Sequence, residues 1–368
     1  MYKIVKDIAD TLVGKISQSL PKWQSCTAEQ TFPVRAPYQP TLPANINMFA
    51  GEAKARFLAP VLFKVHHIYQ LHNVHVTWDG AVFHNLRLFL PSIVQARFAS
   101  RFQDTLLLRQ WMGERISSTA CVAVCHDQWS VENYYHWLID TLPRLLVLRQ
   151  TRPNVLLLLP QPLSPKKLPD YITCSAAILG FTQYLPVNTR QILRADCVVL
   201  PELTAASLTQ NPELIRQVRT ELTVALQPKL VSATRKIYAA RASSGVRNIQ
   251  NALEVEMMLQ RWGFEKVYFE QLSFLEQVQL MHETVVFLGV HGAGMTNMLF
   301  LQQKAKVIEL LNEEYGDLCY FRLASCLTLP YFCVPCSGLN QELANQSNII
   351  VNLKLLEQTI EVVLAEIV

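Results

Sequence analysis

The chain has 368 residues, with 33 Lys and Arg against 29 Asp and Glu for a net charge of +4, and only 17% charged residues where an average globular protein carries roughly 25%. Half of it is apolar, yet no uninterrupted run approaches the ~18 residues needed to cross a bilayer. These figures exclude a disordered chain, a nucleic-acid-saturated chain and a transmembrane helix, and the length calls for two domains or one large one with an extension.

Residues 1–60 alternate short apolar pieces with Pro21, Pro33, Pro37, Pro40, Pro43 and Pro60, and read as a surface extension. Charges at Lys3, Lys6 and Asp7 argue against a secretory leader, and nine scattered cysteines argue for unpaired thiols in a reducing, cytoplasmic compartment. From 61 to 89 the pattern is strand-like: Val74, Val76 and Trp78 alternate with His75 and Thr77, and Asp79-Gly80 turns a hairpin. Strands then alternate with helices. Strands are expected at 120–124, 155–159 and 197–200, with helices at 130–150 and 165–179, and Asn211-Pro212-Glu213 opens a further helix. A second series follows, with strands at 235–239, 265–269, 284–288, 306–311 and 331–334. Its helices fall at 252–262, after the capping box Ser273-Phe274-Leu275-Glu276, after a glycine loop to about 301, at 318–327 and at 353–367. This alternation predicts an α/β protein of two Rossmann-like halves with a cleft between them: residues 61–228 and 229–350, with 351–368 packing back.

Three segments carry chemistry. Glycine is scarce, 12 residues in all, yet Gly289, Gly292 and Gly294 fall within six residues, between a buried strand and a helix start. Such a loop lets the backbone approach an anion at a helix N-terminus, and Glu309, 20 residues after Gly289, ends the next strand where an acid can reach a ribose. The alternative is a tight turn with a solvated Glu309. The order Gly-x-x-Gly-x-Gly does not meet the dinucleotide fingerprint. In the second segment, helical spacing puts Asn133, His136, Trp137, Asp140 and Arg144 on one face, with Pro143 kinking the helix. A His four residues before an Asp can support general-base chemistry, or the two can simply satisfy each other. Third, Arg241 follows a strand and Arg247 lies in the loop beyond, where guanidinium groups can face a diphosphate. His67, His72, His75 and His84 lack the spacing of a zinc module, and Cys333-Val334-Pro335-Cys336 lies at a strand end, so both are read as structural.

The run Asn133-Tyr134-Tyr135-His136-Trp137-Leu138-Ile139-Asp140-Thr141-Leu142-Pro143-Arg144, then Arg241, Gly263-Phe264-Glu265, Leu272 to Val278, and His291-Gly292-Ala293-Gly294-Met295-Thr296-Asn297 resembles glycosyltransferase family 61 over about residues 65–340. That family, once a domain of unknown function, is related to eukaryotic O-linked GlcNAc and plant xylan sugar transferases. The resemblance implies a GT-B fold and inverting transfer from a nucleotide-sugar donor to a hydroxyl acceptor in polysaccharide or glycoconjugate biosynthesis, without an obligatory metal. It assigns His291, Gly292, Ala293, Gly294 and Asn297 to the donor nucleotide, Arg241 to its diphosphate, and the His136/Asp140 face to the acceptor side with Asn133, Trp137 and Arg144. Asp140 acting directly, with His136 positioning the acceptor, and His136 acting as base held by Asp140 are the two assignments of the base. Family members tend to have Ser before the arginine and an Arg-Arg pair beyond it, where this chain has Ala240 and Arg247-Asn248. The competing functions are a nicotinamide-dependent oxidoreductase and a catalytically silent nucleotide-binding protein. No nucleic-acid partner is expected; peripheral membrane contact remains open.

Overall fold

The structure is a computed structural model that describes residues 27–49, 51–95, 113–131, 133–163, 167–206, 208–241, 246–314 and 317–366. Residues 1–26, with the N-terminal charges and Pro21, and loop residues 242–245 lie outside the described residues. No helix among the described residues is long and apolar enough to cross a membrane. The architecture is mixed α/β, in two compact units. The first comprises residues up to 35 and 64–207. The second comprises 36–63, which includes α1 (Gly51–Leu58), and 208–368. The division therefore falls ahead of Pro212, where the sequence places it near Gln227-Pro228. The proline-rich segment is shared between the units.

The first unit is built on a nine-stranded sheet. Its strands are β1 (Ala28–Phe32), β2 (His66–Thr77), β3 (Val82–His84), β4 (Arg87–Leu88), β5 (Glu114–Ser118), β6 (Val122–Ala123), β7 (Leu156–Gln161), β8 (Tyr184–Asn188) and β9 (Gln191–Pro201). The main order is β4-β3-β2-β9-β6-β7-β8, with β1 on β2 and β5 on β9. Strands β9, β6, β7 and β8 run parallel. β2 lies antiparallel to β9, and β3 and β4 follow by hairpins, so the sheet is mixed where the alternation implied parallel strands: tight turns join only antiparallel neighbours. Helices α2 (Leu142–Thr151) and α3 (Asp170–Ile178) cover it. Val74, Val76, Val122, Val198 and Leu200 form its core.

The expected hairpin at Asp79-Gly80 is present, and it requires glycine. Gly80 has φ +84°, and a Cβ there would lie 2.6 Å from the His126 carbonyl oxygen, a backbone atom that cannot swing away. Gly80→Ala is expected to destabilise the unit by about 1–3 kcal/mol from φ alone, with the clash adding to it. Urea unfolding checks this, and an unchanged midpoint would refute it.

Register also pairs two cysteines. Val122 lies opposite Val198 in the parallel β6–β9 ladder, which sets Cys121 beside Cys197, Cα atoms 4.5 Å apart, in a disulfide. The expectation of unpaired thiols fails for this pair, because a contact 76 residues apart in sequence is visible only once the strands are aligned. Cys333 and Cys336 are buried thiols, and burial raises the pKa of each.

The second unit holds a six-stranded sheet, β11-β10-β12-β13-β14-β15. Its strands are β10 (Arg235–Ala239), β11 (Phe264–Val267), β12 (Thr284–Val290), β13 (Lys306–Asn312), β14 (Tyr331–Gly338) and β15 (Ile349–Ile350). All neighbours are parallel except the β14–β15 edge. The helices are α4 (Pro212–Leu226), α5 (Ala252–Arg261), α6 (Phe274–His282), α7 (Cys319–Cys326) and α8 (Leu353–Ala365). The start signals act as read: the Asn211 side chain accepts from the Glu213 and Leu214 amides, and Ser273 and Glu276 form a reciprocal capping box. The helix expected after the glycine loop is instead a 3₁₀ helix, Ala293–Phe300. There the Asn297 side-chain Nδ2 donates to the Gly294 carbonyl, which an α-helix would reserve for a backbone N–H.

Candidate functional site

In the first unit the site grows from the carboxyl end of β6. The Val124 amide still pairs with the Val199 carbonyl, and the chain then leaves the sheet at Asp127. Asp127 Oδ1 accepts from the Trp129 and Ser130 amides at 3.0 and 3.2 Å, which fixes the loop. Its Oδ2 lies 3.3 Å from Arg144 Nη1, both side chains 4% exposed. Arg144 Nε also donates to the Pro201 carbonyl at 2.8 Å, tying α2 to the end of β9.

Ahead of α2, residues His136–Thr141 form a π-helical turn. Pro143 explains it: proline has no N–H to give and its ring crowds the carbonyl four residues back, so the helix widens, and the Leu142 amide reaches the Trp137 carbonyl five residues back. The His136–Asp140 contact survives, Nδ1 donating to Oδ2 at 2.6 Å, with the Trp129 ring 4.6 Å from the imidazole. Burial pushes the Asp140 carboxyl above the ordinary carboxylate range, and the His136 hydrogen bond offsets part of that rise. Trp137 does not share the face. It is fully buried, its Nε1 donating to Ser175 Oγ, because the segment is enclosed on nearly all sides. Asn133 caps the turn, its Oδ1 accepting from the Tyr135 amide. A separate cavity of about 280 Å³ is lined by Lys64, Ser92, Asp127, Arg144 and Glu202.

In the second unit, parallel pairing of β10 with β12 sets Ala239 opposite Gly289. The residues that follow the two strands, Arg241 and Gly292, are therefore neighbours. A Cβ on Gly292 would stand 2.3 Å from Arg241 Nη1, and one on Gly289 would stand 2.7 Å from Met295 Sδ. Arg247 donates to the His291 carbonyl at 3.1 Å. Burial and then the adjacent Arg247 charge lower the pKa of Arg241, which Tyr320 and Glu270 oppose. Two guanidinium groups that repel each other in this way favour an anion between them. Arg241, Glu270, Gly292, Ala293 and Gly294 line a cavity of about 230 Å³.

Behind the loop lies a buried charge network. His291 Nδ1 donates to Glu309 Oε1 at 2.6 Å, Tyr331 donates to Glu309 Oε2 at 2.5 Å, and His291 Nε2 lies 3.8 Å from Asp317 Oδ2. Both Glu309 oxygens are thus engaged and the residue is 1% exposed, so it braces His291 rather than meeting a ribose. Asn297 is likewise inward, donating to Gln277 and the Gly294 carbonyl. Burial alone would lower the His291 pKa, but Glu309 and Asp317 outweigh it and push it up to about 9. The imidazolium therefore contributes its stability in full below an imidazole's ordinary ~6.5 and loses it as pH rises through about 9. Glu309→Gln is expected to cost about 3 kcal/mol at neutral pH and to flatten the stability profile across that window. Urea unfolding at several pH values checks it, and an unchanged slope would refute the assignment.

The sequence reading missed Asp127, Trp129, Glu270 and Asp317. Asp127 carried one usable signal, its place just beyond a β-branched run, where strands of open sheets present ligand-facing residues.

Residues 134–308 match the model of the family described as Glycosyltransferase 61. Similar relatives are EGF domain-specific O-linked N-acetylglucosamine transferases. The dog protein (Canis lupus familiaris) is 46% identical over 56 residues, 15% of this chain and 10% of the relative. The mouse protein (Mus musculus) is 43% identical over 63 residues, 17% and 12%, and that of Drosophila melanogaster 38% over 64, again 17% and 12%. The chain thus spans about a tenth of the length of the curated relatives it matches. His136, Asp140, Arg241 and the loop from His291 to Asn297 all fall inside the stretch that matches the glycosyltransferase 61 family.

Proposed function

We propose that the protein is a glycosyltransferase of GT-B type that moves a sugar from a nucleotide-sugar donor to a hydroxyl acceptor with inversion, in polysaccharide or glycoconjugate synthesis. The observation that carries this reading is the pairing of Arg241 and Arg247 beside Gly292 at the carboxyl ends of β10 and β12. The leading amides of the 3₁₀ helix lie outside its own bonding pattern and, with the guanidinium groups, suit a diphosphate. As the donor's anomeric carbon–oxygen bond breaks, the diphosphate leaves with its negative charge and the two arginines stabilise it. The acceptor oxygen bonds to that carbon from the opposite face and gives its proton to the His136/Asp140 pair.

An oxidoreductase is disfavoured, since Glu309, its candidate ribose ligand, is committed to His291 and Tyr331. The test is a thermal-unfolding panel of nucleoside diphosphates, nicotinamide dinucleotides and buffer. A nucleoside diphosphate at 100 times its dissociation constant should stabilise the chain by about 2.7 kcal/mol. Stabilisation by nicotinamide dinucleotides alone would overturn the proposal.

A further inference from the structure

His291, Asp317 and Cys319 present Nε2, a carboxylate oxygen and Sγ within 4.8 Å of one another, and His291 and Cys319 are buried. They come together for separate reasons. His291 follows β12, while Asp317 and Cys319 straddle the start of α7, where the Asp317 Oδ1 accepts from the Cys319 amide at 2.9 Å. Nitrogen, oxygen and sulfur in one cluster match a borderline-soft divalent cation of the zinc class better than magnesium or calcium, which take oxygen.

A second observation points the same way. Glu309 holds the opposite ring nitrogen of His291, Nδ1, at 2.6 Å and is itself held by Tyr331. That is the carboxylate–imidazole brace that commonly stands behind a metal-bound histidine, fixing ring orientation and tautomer so that the other nitrogen faces the ion. Here the other nitrogen faces Asp317.

We propose that His291, Asp317 and Cys319 form a zinc-class site with a fourth position open to water, braced by Glu309. Binding forms three coordinate bonds from Nε2, the carboxylate and the thiolate, and the displaced protons pass to solvent. Tetrahedral zinc sets its ligands roughly 3.5 Å apart, so the cation draws the cluster inward and fixes His291 at the base of the Gly292 loop. The ion takes no part in the sugar-transfer chemistry.

The experiment uses the full chain, stripped with chelator and titrated with cobalt as a spectroscopic stand-in for zinc. One cobalt per chain with a thiolate-to-metal charge-transfer band is expected, and zinc should displace it. The band should be lost in Cys319→Ser, apparent affinity should fall at least ~10-fold in Asp317→Asn, and the half-buried control Cys174→Ser should retain the band. Absence of the band in the wild type, or its survival unchanged in either ligand variant, overturns the proposal. Should Cys319→Ser fail to fold, the wild-type band and Asp317→Asn decide.

Discussion

Gly292→Ala should weaken nucleoside diphosphate binding by ~100-fold while leaving the fold intact. The added Cβ would meet Arg241 Nη1 at 2.3 Å, and that atom is the far end of a flexible side chain, so the guanidinium swings aside and the backbone stays. What is lost is a charge-assisted fork on the phosphates, about 3 kcal/mol or ~100-fold in affinity. Gly294→Ala supplies the contrast, since its Cβ would meet no atom within 4 Å and Arg241 keeps its place. Calorimetric titration of both variants, with circular dichroism to confirm folding, tests the assignment. Wild-type affinity in Gly292→Ala would remove the loop from the site.

Asp140→Asn is expected to lower turnover by ~10²–10⁴, the range of a lost general base, with donor affinity unchanged. The pH profile separates the two assignments of the proton. Burial raises the Asp140 pKa and the His136 hydrogen bond holds it partly down. If the carboxylate takes the proton, activity falls as pH drops through that raised value. Then His136→Gln, by removing the restraining hydrogen bond, moves the acid limb to higher pH. If the imidazole takes the proton, His136→Gln removes the limb. Near-normal turnover in both variants, with donor still bound, would make the pair structural.

Much of the second unit was legible because its parallel strands are buried on both faces and so read as continuous apolar runs, each bounded by a start signal such as Asn211 or the Ser273 capping box. The first unit was less so. Strand β5 is short and polar, and β9 runs Gln191–Pro201, where only its last apolar residues stood out. At the site, spacing found His136 with Asp140 and the arginine beside the glycines. It misplaced Trp137 and Glu309, since a helical wheel ranks directions but does not say which are closed off by neighbouring layers. Asp127 and Asp317 owe their roles to partners far along the chain, which local pattern does not register.

The stretch 36–63 is made before residues 64–207 of the first unit, yet it finishes the second. The Asn45 side chain brackets Cys333 of β14, donating to its carbonyl at 2.7 Å and accepting from its amide at 3.1 Å across 288 residues, and the Ala44 amide meets the Tyr331 carbonyl. A chain emerging from the ribosome must therefore hold this segment unsatisfied until nearly all the remainder has been synthesised, a closure of high contact order and slow kinetics. The same arrangement makes residues 208–368 an incomplete excision. Cut at that boundary, the fragment bares β14 backbone that Ala44 and Asn45 otherwise occupy, a template for association between copies, whereas supplying 36–63 as a separate peptide would restore the missing seam.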